Sequence, residues 1–263
     1  MDAVTHYLLH LADNAVVLGQ RNAEWCGHGP ILEEDIAMGN ISLDLIGQAR
    51  LLYQTAAQRL GDGRDEDDLA YFRDPAEFRN FVLCELPHHG PLVGYAHSDR
   101  DYATTLVRNL LYSGFMVLLW GHLRQANPAV CADLPAIAAK SLKEATYHLH
   151  HAQEWLMRLG DGTDESHARA QAALDHLMPF TQELFSGGAD EEAAMAALGL
   201  PSIGGLHATW LAMVQDTVAR ATLRMPSEQG YLTQGKVGLH SEHLSFLLAE
   251  MQSLARAHPE GVW

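Results

Sequence analysis

Residues 138–160 constrain the fold more than any other part of the sequence, because they carry an unbroken apolar seam at helical spacing. Seven apolar residues recur there at alternating intervals of four and three positions: Ala138, Leu142, Ala145, Leu149, Ala152, Leu156 and Leu159. This spacing places all seven on one face of an α-helix. A seam of this kind is typical of a helix that packs against other helices in a bundle.

Polar residues beside this seam raise the question of a metal site. On the inward face of a helix bundle, carboxylates and histidines are the ligands of carboxylate-bridged di-iron centres, which use a Glu-x-x-His motif. His148 lies beside the seam, but the residue three positions before it is Ala145. A methyl group cannot coordinate iron, so this helix lacks half of the motif. The string Glu85-Leu-Pro-His88 has the right spacing, but its proline and its place in a connection mark it as coincidental.

The remaining pattern predicts two helical hairpins that are separated by a long connection. Apolar residues at helical spacing predict a first helix within residues 2–25 and a second helix from the acids at 33–35 to about residue 60. A third helix, capped by Ser98, is expected to run to about residue 127, before Pro128 restarts the chain into the helix described above. The acidic run at 65–68 predicts a solvated turn.

Two hairpins joined by one long crossover indicate an all-α, ferritin-like four-helix bundle with additional C-terminal helices. We expect a single domain over residues 1–263, with core hairpins at about 2–60 and 98–160, a crossover at 61–97 and extra helices over 161–257. Within that last region, Thr163 is expected to cap a helix that Pro179 interrupts. The later helices are predicted at 189–198, 205–224 and 240–257.

Charge and composition exclude several classes of partner. The chain has 17 Lys and Arg against 33 Asp and Glu, and the resulting formal charge of -16 repels nucleic acid and anionic membranes. No apolar run approaches the roughly 18 residues that span a bilayer, and no signal peptide is recognisable, so we expect a cytoplasmic protein. The three cysteines have no C-x-x-C spacing, which indicates neither a disulfide framework nor a structural zinc site.

Four strings, in one order along essentially the whole chain, resemble the C subunits of bacterial phenylacetyl-CoA epoxidases. They are Trp25-Cys26-Gly27-His28-Gly29-Pro30, Leu43-Asp44-Leu45-Ile46-Gly47-Gln48-Ala49-Arg50, Lys143-Glu144-Ala145-Thr146-Tyr147-His148 and Lys236-Val237-Gly238-Leu239-His240-Ser241-Glu242-His243-Leu244. The resemblance implies a non-catalytic, structural subunit that supports a related A subunit, which carries the di-iron centre, together with a small B subunit. It also implies that the complex epoxidises the ring of phenylacetyl-CoA in phenylacetate catabolism, using dioxygen and electrons from a separate reductase.

The resemblance further implies where the iron ligands of the related A subunit fall on this chain. The corresponding residues are Ala15, Leu45, Gln48, Met116, Ala145 and His148. His148 is the one ligand type that is retained, and the chain itself is expected to hold no cofactor. Because a partly kept cluster of buried charges is costly without a metal, we expect a degenerate site that ordinary packing has replaced.

Two segments are implied to lie near the CoA arm of the substrate. They comprise Glu77, Phe78, Arg79 and Asn80 in the crossover, and Glu192, Ala193 and Ala194 near the C-terminal helices. A guanidinium and an amide there could bind phosphate or pantetheine groups. The alternative for the first segment is a short surface helix that Phe78 anchors to the bundle.

Two other functions remain open from the residues alone. The first is a stand-alone metal-dependent oxygenase or ferroxidase that uses His148, Glu144 and Glu154 in a rearranged site. The second is a homodimeric module that binds acyl-CoA without a partner. A zinc site at the histidines of residues 148–151 is disfavoured, because positions 148 and 150 point to different helix faces. The 240–244 string is interpreted as a contact between subunits or a helix cap.

Overall fold

The computed structural model describes residues 1–89, 100–226 and 230–261. Apart from one isolated bridge between Gln234 and Leu239, the regular elements in these residues are helical, which confirms the predicted all-α class. The α-helices are α1 (Ala3–Ala23), α2 (Leu32–Leu60), α3 (Glu66–Tyr71), α4 (Val82–Glu85), α5 (Tyr102–Leu123), α6 (Leu134–Gly160), α7 (Asp164–Leu177), α8 (Gln182–Phe185), α9 (Ala189–Leu198), α10 (His207–Arg220) and α11 (Glu242–Ala257).

Two helical hairpins form the bundle, as the apolar pattern predicts. Helix α1 packs along α2, helix α5 packs along α6, and α2 contacts α6 to bring the two pairs together. The short connections make each pair antiparallel, and the long crossover between α2 and α5 carries α3 and α4. One hydrophobic core cluster extends from both hairpins into the C-terminal helices.

Local hydrogen bonds explain where the bundle helices begin and end. The side chain of Asp2 accepts hydrogen bonds from the backbone N–H groups of Val4 and Thr5 at the start of α1. Gly61 ends α2 in the left-handed conformation, with φ of 62°. Helix α5 begins later than predicted because Asp101 caps it, accepting from the N–H of Ala103 at 2.9 Å. The predicted cap, Ser98, lies outside the described residues.

The crossover corrects two of the sequence predictions. The run at 65–68 does not form a solvated turn but starts α3, because Asp65 accepts from the N–H of Asp68 at 2.9 Å while the Asp68 carboxylate accepts from the N–H of Asp65 at 3.1 Å. Near Phe78 the chain forms only a 3₁₀ turn over Pro75–Glu77 in place of the alternative short helix. Phe78 is nevertheless fully buried, as an anchor would be.

The C-terminal helices pack against the bundle. Helix α7 lies on α5 and α6, α9 on α1, α10 on α5, and α11 on α3 and α1. Thr163 caps α7, and the break expected at Pro179 is a 3₁₀ turn over Met178–Thr181. Where α6 ends beside α10, a Cβ on Gly160 would overlap the carbonyl oxygen of Ala221, so the close approach requires glycine.

No single helix in the described ranges is long and apolar enough to cross a bilayer. One bent pair, Ala189–Leu198 with Ile203–Arg220, has sufficient length and apolar composition only when its two helices are taken together.

Candidate functional site

The positions that the resemblance assigns to di-iron ligands lie inside the bundle, but most of them carry neither a carboxylate nor an imidazole. Ala15, Leu45, Met116 and Ala145 are buried, and they present methyl, isobutyl and thioether groups. Two iron ions in such a bundle need bridging carboxylates and one imidazole each. Gln48 is also buried, and its Nε2 donates to Oε2 of Glu144 at 2.9 Å. These side chains therefore do not fit a di-iron centre.

His148, the one ligand type that the resemblance implies is retained, pairs with an aspartate of α2. It is buried on α6, and its Nε2 donates to Oδ2 of Asp44 on α2 at 3.0 Å. Burial lowers the pKa of His148, and this outweighs the opposing attraction of the Asp44 carboxylate. His148 is consequently a neutral ring that links two helices of the bundle.

A second histidine makes a parallel link one turn further along α6. Nε2 of His151 donates to Oε2 of Glu34 on α2 at 2.8 Å, and the hydroxyl of Tyr102 on α5 donates to the same oxygen at 2.5 Å. Burial, and then the neighbouring Glu34 carboxylate, raise the pKa of Tyr102. Three polar contacts thus join α6 to α2: His148 with Asp44, His151 with Glu34, and Glu144 with Gln48.

The residues of the alternative metal site do not converge. Glu144 pairs with Lys140 and Gln48, whereas Glu154 lies on the surface, where Nη2 of Arg158 donates to it at 3.3 Å. His150 is exposed beside Glu154, at 4.0 Å. Among residues 1–89, 100–226 and 230–261, no group of three or more His, Cys, Asp or Glu side chains is arranged to hold a metal ion.

A buried ion pair joins the crossover to the first hairpin. Asp13 of α1 is fully buried and accepts hydrogen bonds from the guanidinium of Arg73, from the hydroxyl of Tyr53 at 2.6 Å and from the backbone N–H of Arg79 at 2.8 Å. Burial alone would lower the pKa of Arg73, but the charge of Asp13 outweighs it and raises that pKa. The sequence reasoning missed this pair, because sixty positions separate its members and each resembles an ordinary surface charge.

Residues of the 240–244 string form hydrogen bonds to the crossover. The buried carboxylate of Glu85 accepts from Nδ1 of His240 at 2.9 Å and from the N–H of Ser241 at 2.6 Å, while Nε2 of His240 donates to the carbonyl of Phe78 at 3.0 Å. Burial opposes the charged ring, but Glu85 outweighs it and raises the pKa of His240. Glu85 and His88, which have the Glu-x-x-His spacing, are both buried, but their side chains share no hydrogen-bond partner.

The first segment predicted to contact the CoA arm is only partly accessible. Phe78 and Asn80 are fully buried, and Nδ2 of Asn80 donates to Glu85 at 2.9 Å. Glu77 is exposed and accepts from the N–H of Asp74, whereas Arg79 is half-buried, with Nη1 donating to the Phe78 carbonyl at 2.7 Å.

The second predicted segment lies close to the first. Glu192 and Ala193 are exposed on α9, and Ala194 is buried. His6 lies between the segments, because Nε of Arg79 donates to its Nε2 at 3.3 Å and its Nδ1 lies 3.4 Å from Oδ2 of Asp190, also on α9. The structure therefore brings the two segments to one surface, and their contact with a ligand stays a prediction.

Comparison with known proteins gives two findings. The family model described as phenylacetic acid catabolic protein matches residues 1–263. The chain is also similar to a protein of Escherichia coli (strain K12) described as the C subunit of 1,2-phenylacetyl-CoA epoxidase. The two are 43% identical over 265 residues, which cover 100% of each chain.

Proposed function

Because this chain belongs to the phenylacetic acid catabolic protein family, we propose that it is a non-catalytic structural subunit of a phenylacetyl-CoA 1,2-epoxidase. It binds the catalytic A subunit, which carries the di-iron centre, and assembles with the small B subunit as a cytoplasmic hetero-oligomer. It holds no cofactor of its own and supports phenylacetate catabolism through the complex.

The observation that carries this proposal is the filling of the ligand positions by aliphatic side chains. Ala15, Leu45 and Ala145 would each need a carboxylate in a di-iron enzyme, and all three are buried in the hydrophobic core. A carboxylate buried there without a metal would lack a compensating charge, so the apolar residues stabilise the fold. The bundle is thereby suited to a scaffolding role.

The test is association with the catalytic A subunit. Purified chain and A subunit are expected to elute together in size-exclusion chromatography, and epoxidation of phenylacetyl-CoA is expected to require both. If the two proteins elute separately at micromolar concentration, the proposal fails.

The variant His148→Gln separates this proposal from the stand-alone oxygenase. Glutamine keeps a donor for Asp44, so the fold and the kcat of the complex are expected to stay within about twofold of the unaltered protein. An enzyme that used His148 as an iron ligand would instead lose activity by several orders of magnitude. Such a loss, with the fold intact, would contradict the structural role.

We also propose that the surface around Arg79 and Glu192 lies beside the CoA arm in the complex. Arg79 offers the positive charge for a phosphate, while the buried Phe78 and Asn80 hold its backbone in place. In the assembled epoxidase, Arg79→Ala is expected to raise KM for phenylacetyl-CoA several-fold with little change in kcat. An unchanged KM would refute this contact.

A further inference from the structure

The outer face of α2 exposes large apolar side chains. The exposed fractions are 71% for Leu32, 54% for Ile36, 67% for Leu43 and 41% for Ile46, and Tyr147 of the adjoining α6 is 54% exposed. Single exposed apolar residues are ordinary, but a contiguous group on one face marks an interaction surface.

The spacing of these residues is that of a helix–helix seam. Leu32, Ile36, Gly39, Leu43 and Ile46 follow one another at intervals of four, three, four and three positions. This is the 3.5-residue repeat with which one helix packs along another. The opposite face of α2 is buried in the bundle, so the helix is apolar on two sides. A helix apolar on two sides is typical of one that is enclosed on both.

Two glycines on this face leave open space where a side chain would otherwise stand. A Cβ added at Gly39 or Gly47 would meet nothing within 4 Å, whereas one added at Gly19 of α1 would lie 3.3 Å from Cβ of Leu45. Glycine in a helix interior is destabilising relative to alanine. Glycine at these two half-buried positions is explained if another backbone approaches the helix there.

Charges flank the seam at both of its ends, and the charged residue of α2 in its middle is paired. Glu33 and Asp35 lie beside Leu32, Arg50 follows Ile46 by four positions, and Asp44 beside Leu43 is paired with His148. Depletion of charge at the centre, with charge at the rim, is the usual anatomy of a protein interface. The acidic end fits a partner helix that carries lysine or arginine at that point.

We propose that the outer face of α2, comprising Leu32, Ile36, Gly39, Leu43 and Ile46, is the docking surface for an amphipathic helix of the catalytic A subunit. The inference rests on the proposed function for its partner. A second copy of this chain is the less suitable occupant, because each copy has a net charge of -16 and the two copies would repel each other.

The variant Leu43→Asp tests the seam at its centre. Leu43 is mostly exposed, so the melting temperature of the isolated chain is expected to stay within about 2 °C. The Kd for the A subunit, measured by isothermal titration calorimetry, is expected to rise by at least about 30-fold, as for a residue at the centre of an interface. Leu254→Asp on α11, where leucine is 57% exposed, is the matched control and is expected to leave Kd within about twofold.

The variant Gly39→Ala gives opposite effects on folding and binding. Alanine is expected to raise the melting temperature of the chain by about 2–3 °C through its helix propensity. If a partner backbone approaches at this point, the added methyl group is expected to weaken binding by at least about 10-fold. Gly121→Ala in α5, where a Cβ also meets nothing within 4 Å, should raise stability without changing Kd.

The outcomes separate this inference from the proposed function. If the unaltered chain does not bind the A subunit, the proposed function fails, and the assignment of the occupant fails with it. If the chain binds and neither Leu43→Asp nor Gly39→Ala weakens binding, only the docking surface is refuted. If sedimentation shows a homodimer that Leu43→Asp dissociates, the surface binds a second copy and the proposed occupant is wrong.

Discussion

Removal of the Asp13 carboxylate is expected to weaken the junction between the crossover and the first hairpin. In Asp13→Ala the guanidinium of Arg73 would remain buried without its counter-charge. The hydroxyl of Tyr53 and the N–H of Arg79 would lose their acceptor in the same variant.

The expected loss follows from the contacts that remain. Removing one partner of a buried ion pair typically costs about 3–5 kcal/mol. Arg73 would retain hydrogen bonds to the carbonyls of Leu69, at 2.6 Å, and Glu77, at 3.1 Å, and its Cζ would still lie 4.3 Å from the centre of the Phe78 ring. These contacts place the expected loss near the lower end, at about 3 kcal/mol, which is a large part of the about 5–15 kcal/mol that stabilises a typical domain.

Urea unfolding followed by circular dichroism measures this loss, provided that the m-value is unchanged. A double-mutant cycle with Arg73→Met and Asp13→Asn isolates the pair. The loss of unfolding free energy in the double variant is expected to be smaller than the sum of the two single losses by at least about 1 kcal/mol. A loss below about 1 kcal/mol for Asp13→Ala, or strictly additive losses in the cycle, would refute the reasoning.

Three further predictions concern the core. Ala145→Glu buries a carboxylate without a counter-charge and should destabilise the chain by several kcal/mol; a fully stable variant that binds iron in elemental analysis would contradict the packed interior. Burial lowers the pKa of His10 to about 3, so the unfolded chain takes up a proton near pH 6.5 while the folded chain does not. The stability contribution of His10 is therefore complete above pH 6.5 and falls by up to about 1.4 kcal/mol per pH unit towards pH 3. Urea unfolding between pH 7 and pH 5 should show a smaller loss of unfolding free energy per pH unit in His10→Gln than in the unaltered chain. An equal loss in both proteins would contradict this prediction. Gly160→Ala should lower the melting temperature by several degrees in calorimetry, because its methyl group overlaps the Ala221 carbonyl; an unaltered value would show that the two helices can separate without cost.

Helix positions were predictable because apolar periodicity is a local signal. The seam of residues 138–160 lies within α6, and the helix predicted at 189–198 is α9 over Ala189–Leu198. The start of α5 was predicted three positions too early, since Ser98 and Asp101 are both good caps by residue type and the sequence alone does not distinguish them. The turn predicted at 65–68 failed because reciprocal capping turns an acidic run into a helix start.

The site was predictable only where its chemistry is a property of single residues. The aliphatic side chains at positions 15, 45 and 145 could be read directly, and they lie in the core as expected. The partners of buried polar groups could not be predicted, because Glu85 and His240 meet from positions 155 residues apart. The outer seam of α2 was missed, since the inward apolar residues of the same helix mask a second face at similar spacing.

Iron content is the measurement that tests the central claim most directly. The isolated chain is loaded with Fe(II) under anaerobic conditions, desalted and analysed for metal. An interior packed with Ala15, Leu45 and Ala145 predicts iron close to zero per chain. About two irons per chain would contradict the non-catalytic role and would make this chain itself a di-iron protein.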